Sequence, residues 1–168
     1  MSSLQFTPRQ QREAAFYREY AERQRVEQVD MEPVRGAQSR PWNAYWSVYE
    51  QAAALLRHPG ARLLEFGCGI GIAAVRFAHL GYYVSGFDIS HDNIRIAREL
   101  AAHHGLSHRC DFRVMPAEQL DYPDDHFDVI TGIDILHHIE IDRSVAEAAR
   151  VLKADGTAIF KEHIESPV

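Results

Sequence analysis

Residues 63–78, LLEFGCGIGIAAVRFA, set three glycines (Gly67, Gly69 and Gly71) between an apolar run and an amphipathic one, with Glu65 two positions ahead of the first. Glycine lets a backbone turn tightly and come close to a ligand with no Cβ in the way, so the chemistry suggested is the cradling of a nucleotide or nucleoside. A dinucleotide fingerprint would want Gly or Ala where Ile72 stands, and no Gly-Lys-Ser/Thr follows as a Walker loop requires. What is left is acid-x-Gly-x-Gly-x-Gly. Asp88 closes the next apolar run, YYVSGFD, where a carboxylate can accept hydrogen bonds from both hydroxyls of a ribose. Read alone, Asp88 would be the cap of the following helix, a role for which Ser90 competes. Paired with the glycine loop it favours a nucleoside ligand.

The elements that must hold these residues alternate along the chain. Arg62–Phe66 reads as a buried strand, followed by helical spacing at Ile70, Ala73, Ala74, Phe77 and Ala78. A second strand is expected over Tyr82–Phe87 and a Ser90-capped helix to about His103. Strands over Arg109–Met115 and Phe127–Gly132 follow. A helix is then expected over Asp142–Lys153, inward through Val145, Ala148, Ala149 and Leu152 and stopped by Gly156, before a fifth strand at Thr157–His163. Such alternation predicts an α/β fold, a doubly wound, mostly parallel Rossmann-like sheet of about five strands with crossover helices. Ligands in that fold bind at the carboxyl ends of the strands, where the strand order reverses.

Ahead of this core (60–168), residues 1–59 read as an N-terminal helical extension that caps it. Residues 8–30 are rich in helix formers, with a thin apolar stripe of Phe16, Tyr17 and Tyr20 and further apolar positions at Val26 and Val29. A turn-rich stretch from Met31 to Pro41 leads to Trp42, Tyr45, Trp46 and Tyr49 on a helix expected from about Asn43 to Arg57. Those aromatics suit either a helix face packed on the core, the preferred reading, or the wall of an acceptor pocket.

Composition narrows the function classes. A chain of 168 residues with 46% hydrophobic and 25% charged residues supports one core. The net charge of −6, from 18 basic and 24 acidic residues, offers no footprint for nucleic acid. Cys68 and Cys110 lack CxxC spacing, and the adjacent His103 and His104 do not share a helix face, so no metal site is expected. No apolar run approaches a membrane span and the polar start lacks a signal-peptide core, which makes a cytoplasmic setting the default.

The stretches LLEFGCGIGIAAVRFA, VSGFDIS, MPAEQLDYPDDHFDVITGIDILHHI and ARVLKADGTAIFKEH resemble four successive motifs of class I S-adenosylmethionine-dependent methyltransferases, in particular the small-molecule branch that includes quinone-biosynthesis enzymes. The likeness covers about residues 60–163. It implies S-adenosyl-L-methionine as cofactor, with Glu65 by the methionine amino group and Gly67, Cys68, Gly69 and Gly71 alongside the methionine and ribose. It also implies Asp88 on the ribose, Ile89, Ala117 and Glu118 around the adenine, and Ile133 near the sulfonium. His137 and His138 follow the fourth strand on the face where an acceptor would lie. Either could serve as a general base, although such a pair more often orients the loop.

Two departures stand out. Where family members commonly carry an Asp for the adenine amino group, this chain has Pro116, leaving apolar contact and the Ala117 amide. The family also continues past the fifth strand into a helix and a hairpin, so the chain is expected either to be a fragment or to need another chain on that side. The resulting edge, with Ile159 and Phe160 taken as exposed, predicts self-association. The acceptor expected is a small molecule methylated at oxygen or carbon, since Thr131-Gly132-Ile133-Asp134 lacks the Asn/Asp-Pro-Pro-aromatic pattern of amide and base N-methylation. The alternatives are a non-catalytic cofactor-binding subunit or regulator and, less well supported, an NAD-dependent oxidoreductase.

Overall fold

The computed structural model describes residues 6–29, 31 and 45–163. Five strands, β1 (Arg62–Phe66), β2 (Tyr83–Asp88), β3 (Cys110–Val114), β4 (Phe127–Ile133) and β5 (Leu152–Lys161), form one sheet in the order β3-β2-β1-β4-β5. All four pairings are parallel. The chain winds outward from β1 to β3, then returns to lay β4 on the other side of β1. The strand order therefore reverses between β1 and β4, the switch point where a crevice opens.

Period-two alternation splits the apolar residues between two cores, one on each sheet face. Leu63, Val84 and Val129 join α2 (Trp46–Leu55), α3 (Ile72–Leu80) and α4 (His91–His103), around Phe77, Tyr82 and Ile94. Leu64, Phe87 and Ile130 face the other way, toward Phe66, Phe127 and α5 (Ile141–Val151). No helix fills the β3–β4 connection. Instead Arg150 pins that segment by donating to the Leu120 and Tyr122 carbonyls at 2.9 and 2.8 Å, while Glu147 accepts the Leu120 N–H at 2.7 Å.

The first helix, α1 (Pro8–Arg23), starts at a capping box between Thr7 and Gln10, with Pro8 entering the first turn. It ends earlier than expected and is followed by a short 3-10 turn at Val26–Gln28. Its expected apolar stripe does not sink into the main core: Phe16 is 72% and Tyr20 51% exposed. Ala21, buried with Ile70 and Ile96, anchors the helix against α4.

Other boundaries move as well. Trp42 and Asn43 lie outside the described residues, and α2 begins at Trp46. Trp46 and Tyr49 are buried in the core, the preferred reading of the aromatic cluster. Gly156 does not stop α5, which ends at Val151; β5 begins at once at Leu152 and bulges over 153–156 before pairing Thr157 with Val129. The helical period carried on to Lys153 because Leu152, whose partner is Phe127, is apolar in either element. Val145, expected inward, is half exposed. Ile159 is buried and Phe160 packs edge-on against Phe66 at 5.6 Å, so neither is the exposed edge residue expected. Among the described residues no helix is long and apolar enough to cross a membrane.

Candidate functional site

A cleft opens at the carboxyl ends of β1, β2 and β4, under α1, and spans about 840 Å³ counted out into its open mouth. Gly67, Gly69, Asp88, Ile89, Ala117, Glu118 and Ile133 of the expected site line it. Glu65, Cys68 and Gly71 do not; they support the loop from behind. The Cys68 side chain packs inward against Gly86, and Gly71 turns the chain into α3 at φ 83° with its Cα hydrogens against Ala97. Gly69 differs: at φ 52°, a Cβ there would meet no protein atom within 4 Å. That open space beside a left-handed glycine is what a ligand would occupy.

Asp88 ties two strand ends together. Its Oδ2 accepts the Gly69 N–H at 3.0 Å, and its Oδ1 accepts the Ser90 N–H at 2.8 Å and the Asn93 amide at 3.3 Å. Ser90 takes the capping role, its hydroxyl accepting the Asn93 N–H at 3.2 Å. Burial raises the Asp88 carboxyl above its ordinary range, opposed by those three donors and by the positive charge available at His138.

Glu65 is buried at the end of β1, and burial pushes its carboxyl up to about 8 against the pull of the Ala74 N–H. Its Oε2 has no hydrogen-bond partner among the described residues. A buried carboxyl oxygen without a donor favours the protonated form, in keeping with that upward shift.

The two histidines after β4 divide the roles. His137 leaves the cleft and meets Glu162 at 2.9 Å, and the same carboxylate accepts the Ile135 and Leu136 N–H groups, both at 2.8 Å. His137 thus orients the loop. His138 turns into the cleft, with Nδ1 3.2 Å from Glu13 and Nε2 3.3 Å from the Tyr17 hydroxyl.

Sequence reasoning missed Gln10, Glu13 and Tyr17 on α1, Asn93 on α4, and Asp134. Gln10, Glu13, Tyr17 and Tyr20 recur at helical spacing and all line the cleft, a stripe legible as polar and aromatic rather than apolar. Gln10 reaches Glu118 at 3.0 Å. Asp134 follows β4 at φ 51°, uncommon for a residue with a side chain, and accepts the Tyr45 hydroxyl at 2.6 Å. Tyr45 of the aromatic cluster therefore reaches the cleft's lining through Asp134.

A parallel sheet that reverses at β1/β4, with a glycine loop and an acid at adjacent strand ends, defines a Rossmann-like domain with its crevice at the switch point. The chain belongs to the methyltransferase domain family, whose sequence profile matches residues 64–160. It is 30% identical over 131 residues to phosphatidylethanolamine N-methyltransferase of Cereibacter sphaeroides, covering 70% of this chain and 64% of that one. It is 34% identical to a ubiquinone biosynthesis O-methyltransferase of Bartonella bacilliformis over 98 residues, 58% of this chain and 39% of that one. Among solved structures, the YcgJ protein of Bacillus subtilis superposes with a TM-score of 0.65 at 30% identity, over 71% of this chain and 51% of that one. The chain thus spans less than two thirds of the length of each.

Proposed function

We propose that the cleft binds S-adenosyl-L-methionine and that the whole protein transfers its methyl group to a small-molecule acceptor, at oxygen or carbon. The observation that carries this reading is the juxtaposition of Asp88 with the open face of Gly69 in one cleft. The residues present fit the cofactor. Asp88 would take the ribose hydroxyls, Gly67 and Gly69 would lie against the methionine and ribose, and Ile89, Ala117 and Glu118 would flank the adenine. Cys68 and Gly71 would act through the loop's shape. The unsatisfied oxygen of Glu65 supports a role toward the methionine ammonium, with the glycine loop between them.

When bound, the cofactor supplies a methyl carbon already activated by its sulfonium. The protein's share of catalysis is then positioning and exclusion of water. Ile133, Ile135 and Ile139 give the end of the cleft beyond β4 an apolar wall, and α1 covers it. Acceptors in the names of the relatives include an ethanolamine amine and a quinone-pathway oxygen. The absence of proline after β4 argues here against amide and base nitrogens.

Calorimetric titration tests the reading. S-adenosylmethionine and S-adenosylhomocysteine should bind at one site per chain, and NAD should not. Absence of binding by either adenosyl ligand would overturn it.

A further inference from the structure

The two ends of the cleft differ in make. Around the Gly69 loop the acids already hold several donors: Asp88 accepts from Gly69, Ser90 and Asn93, and Glu118 from Gln10 and the Glu140 N–H. Beyond β4 the lining turns apolar, with Ile133, Ile135 and Ile139, and the Asp134 carboxylate stands among them. Both of its oxygens take neutral donors, Oδ2 the Tyr45 hydroxyl at 2.6 Å and Oδ1 the His163 N–H at 3.1 Å. The His163 imidazole is 3.9 Å from Oδ1 but 80% exposed, whereas the Asp134 side chain is only 29% exposed. Glu13, the other acid on that side, faces His138 at 3.2 Å. Among the described residues no lysine or arginine lines the cleft. We propose that Asp134 selects the acceptor by charge, taking small molecules that carry a protonated amine and rejecting those that carry phosphate or carboxylate.

A pocket is mostly apolar, and a few placed polar groups give it specificity. Asp134 is such a group, and the low dielectric of its isoleucine wall strengthens its attraction for a cation over that in bulk water. A phenol and an amide that donate to it spread its charge without cancelling it; a counter-ion is needed for that. Glu13, Asp88 and Glu118 give the cleft a field of the same sign. An entering phosphate would shed its water with no lysine or arginine to replace it, while an ammonium would exchange water for Asp134. The backbone sets where the carboxylate stands, since the Asp134 N–H donates to the Lys161 carbonyl at 2.8 Å and ties it to the β4–β5 pairing.

This rests on the methyltransferase reading and narrows its acceptor. Asp134 follows Ile133, which that reading sets near the sulfonium, so the ligand that reaches it is the acceptor. The methylated atom remains an oxygen or carbon, and the amine is the handle by which the acceptor is held.

The test is calorimetric titration of the full chain, loaded with S-adenosylhomocysteine, with three phenols that share a skeleton and differ in charge: tyramine, para-ethylphenol and para-hydroxyphenylpropionate. Tyramine, the cation, should bind about tenfold more tightly than neutral para-ethylphenol, and the anionic propionate most weakly. Asp134→Asn keeps the shape and an acceptor for Tyr45. It should bring tyramine to within about twofold of para-ethylphenol, whose own affinity stays put, a split that a merely structural role would not produce. The order of the three on the unsubstituted chain decides even if the variant fails to fold. A propionate that binds as well as tyramine, tyramine that does not bind, or a preference that survives Asp134→Asn overturns the assignment. So does a variant that loses affinity only for S-adenosylmethionine, which would give Asp134 to the sulfonium instead. The loading step separates the two failures: a chain that binds S-adenosylhomocysteine but shows no charge preference keeps the methyltransferase reading and loses this one. A chain that does not bind it loses the methyltransferase reading, and with it the acceptor assigned to Asp134.

Discussion

The Asp88 carboxylate accepts the Gly69 N–H at 3.0 Å, so the acid that ends β2 and the loop that ends β1 are one hydrogen-bonded unit. A ligand touching either meets both. Asp88→Ala should weaken S-adenosylhomocysteine binding by about 1.5–3 kcal/mol, from lost charge-assisted hydrogen bonds. Calorimetry on the variant checks it, and an unchanged dissociation constant would remove Asp88 from the ribose site.

The loop glycines should fail in different ways. Gly69→Val faces open space and should abolish ligand binding while circular dichroism stays native, at a strain cost of about 1 kcal/mol. Gly71→Val would drive its Cβ to 2.8 Å from Ala97 Cβ and 3.0 Å from Ala97 Cα, adding about 1–3 kcal/mol of overpacking. Thermal melts of the two should therefore separate, Gly71→Val the lower. Normal binding by a folded Gly69→Val would reduce the loop to a corner.

Glu65 makes stability depend on pH with a definite sign. Its folded carboxyl sits at about 8, above the unfolded value of about 4.3, so the native state binds the proton more tightly. Stability is therefore full at acid pH and falls as pH rises from about 4.3 to 8. Glu65→Gln removes that slope. Denaturant unfolding should show the variant gaining up to about 4 kcal/mol on the parent between pH 5 and pH 8.5. A difference that stays flat would mean the carboxyl is ionised and satisfied.

Of the cap expected over residues 1–59, α2 packs instead into the main core, and we propose that α1, which lines the cleft, is the part that caps it. Arg9 donates to the His137 carbonyl at 3.1 Å, Gln10 to Glu118 at 3.0 Å, and Arg18 meets Asp92 at 3.5 Å. These exposed or half-exposed bonds are individually weak, so α1 should open readily without ligand. Tryptic cleavage after Arg12 or Arg18 should slow several-fold with S-adenosylhomocysteine. Equal rates would make α1 a bystander.

The edge at β5 carries the self-association proposal in revised form. Phe160 cannot serve as the probe, because it packs on Phe66 and its loss would damage the core. Ala158 is exposed on the same strand, so Ala158→Lys places a gatekeeping charge there without emptying the interior. Light scattering should show the parent chain associating and Ala158→Lys monomeric. A monomeric parent would show the edge is not used.

The sequence by itself determined the sheet, the glycine loop and Asp88. Each is encoded within one strand–turn–helix unit, where the apolar period, the cap at Ser90 and the left-handed positions act over a few residues. The α5–β5 junction escaped because Leu152 suits a helix or a strand, and its pairing with Phe127 decides between them. Which side of the loop each residue faces was not legible either: Glu65 and Cys68 sit behind it, since β1 is buried on both faces from Leu63 to Phe66 and the Cys68 side chain packs against Gly86. The tertiary structure alone turned the stripe of α1 toward the cleft. It brought Glu13 and Tyr17 to His138, more than a hundred positions away in sequence, and sent His137 to Glu162. Those contacts depend on Ala21 seating α1 against Ile70 and Ile96, a long-range fit that no local pattern in either segment carries.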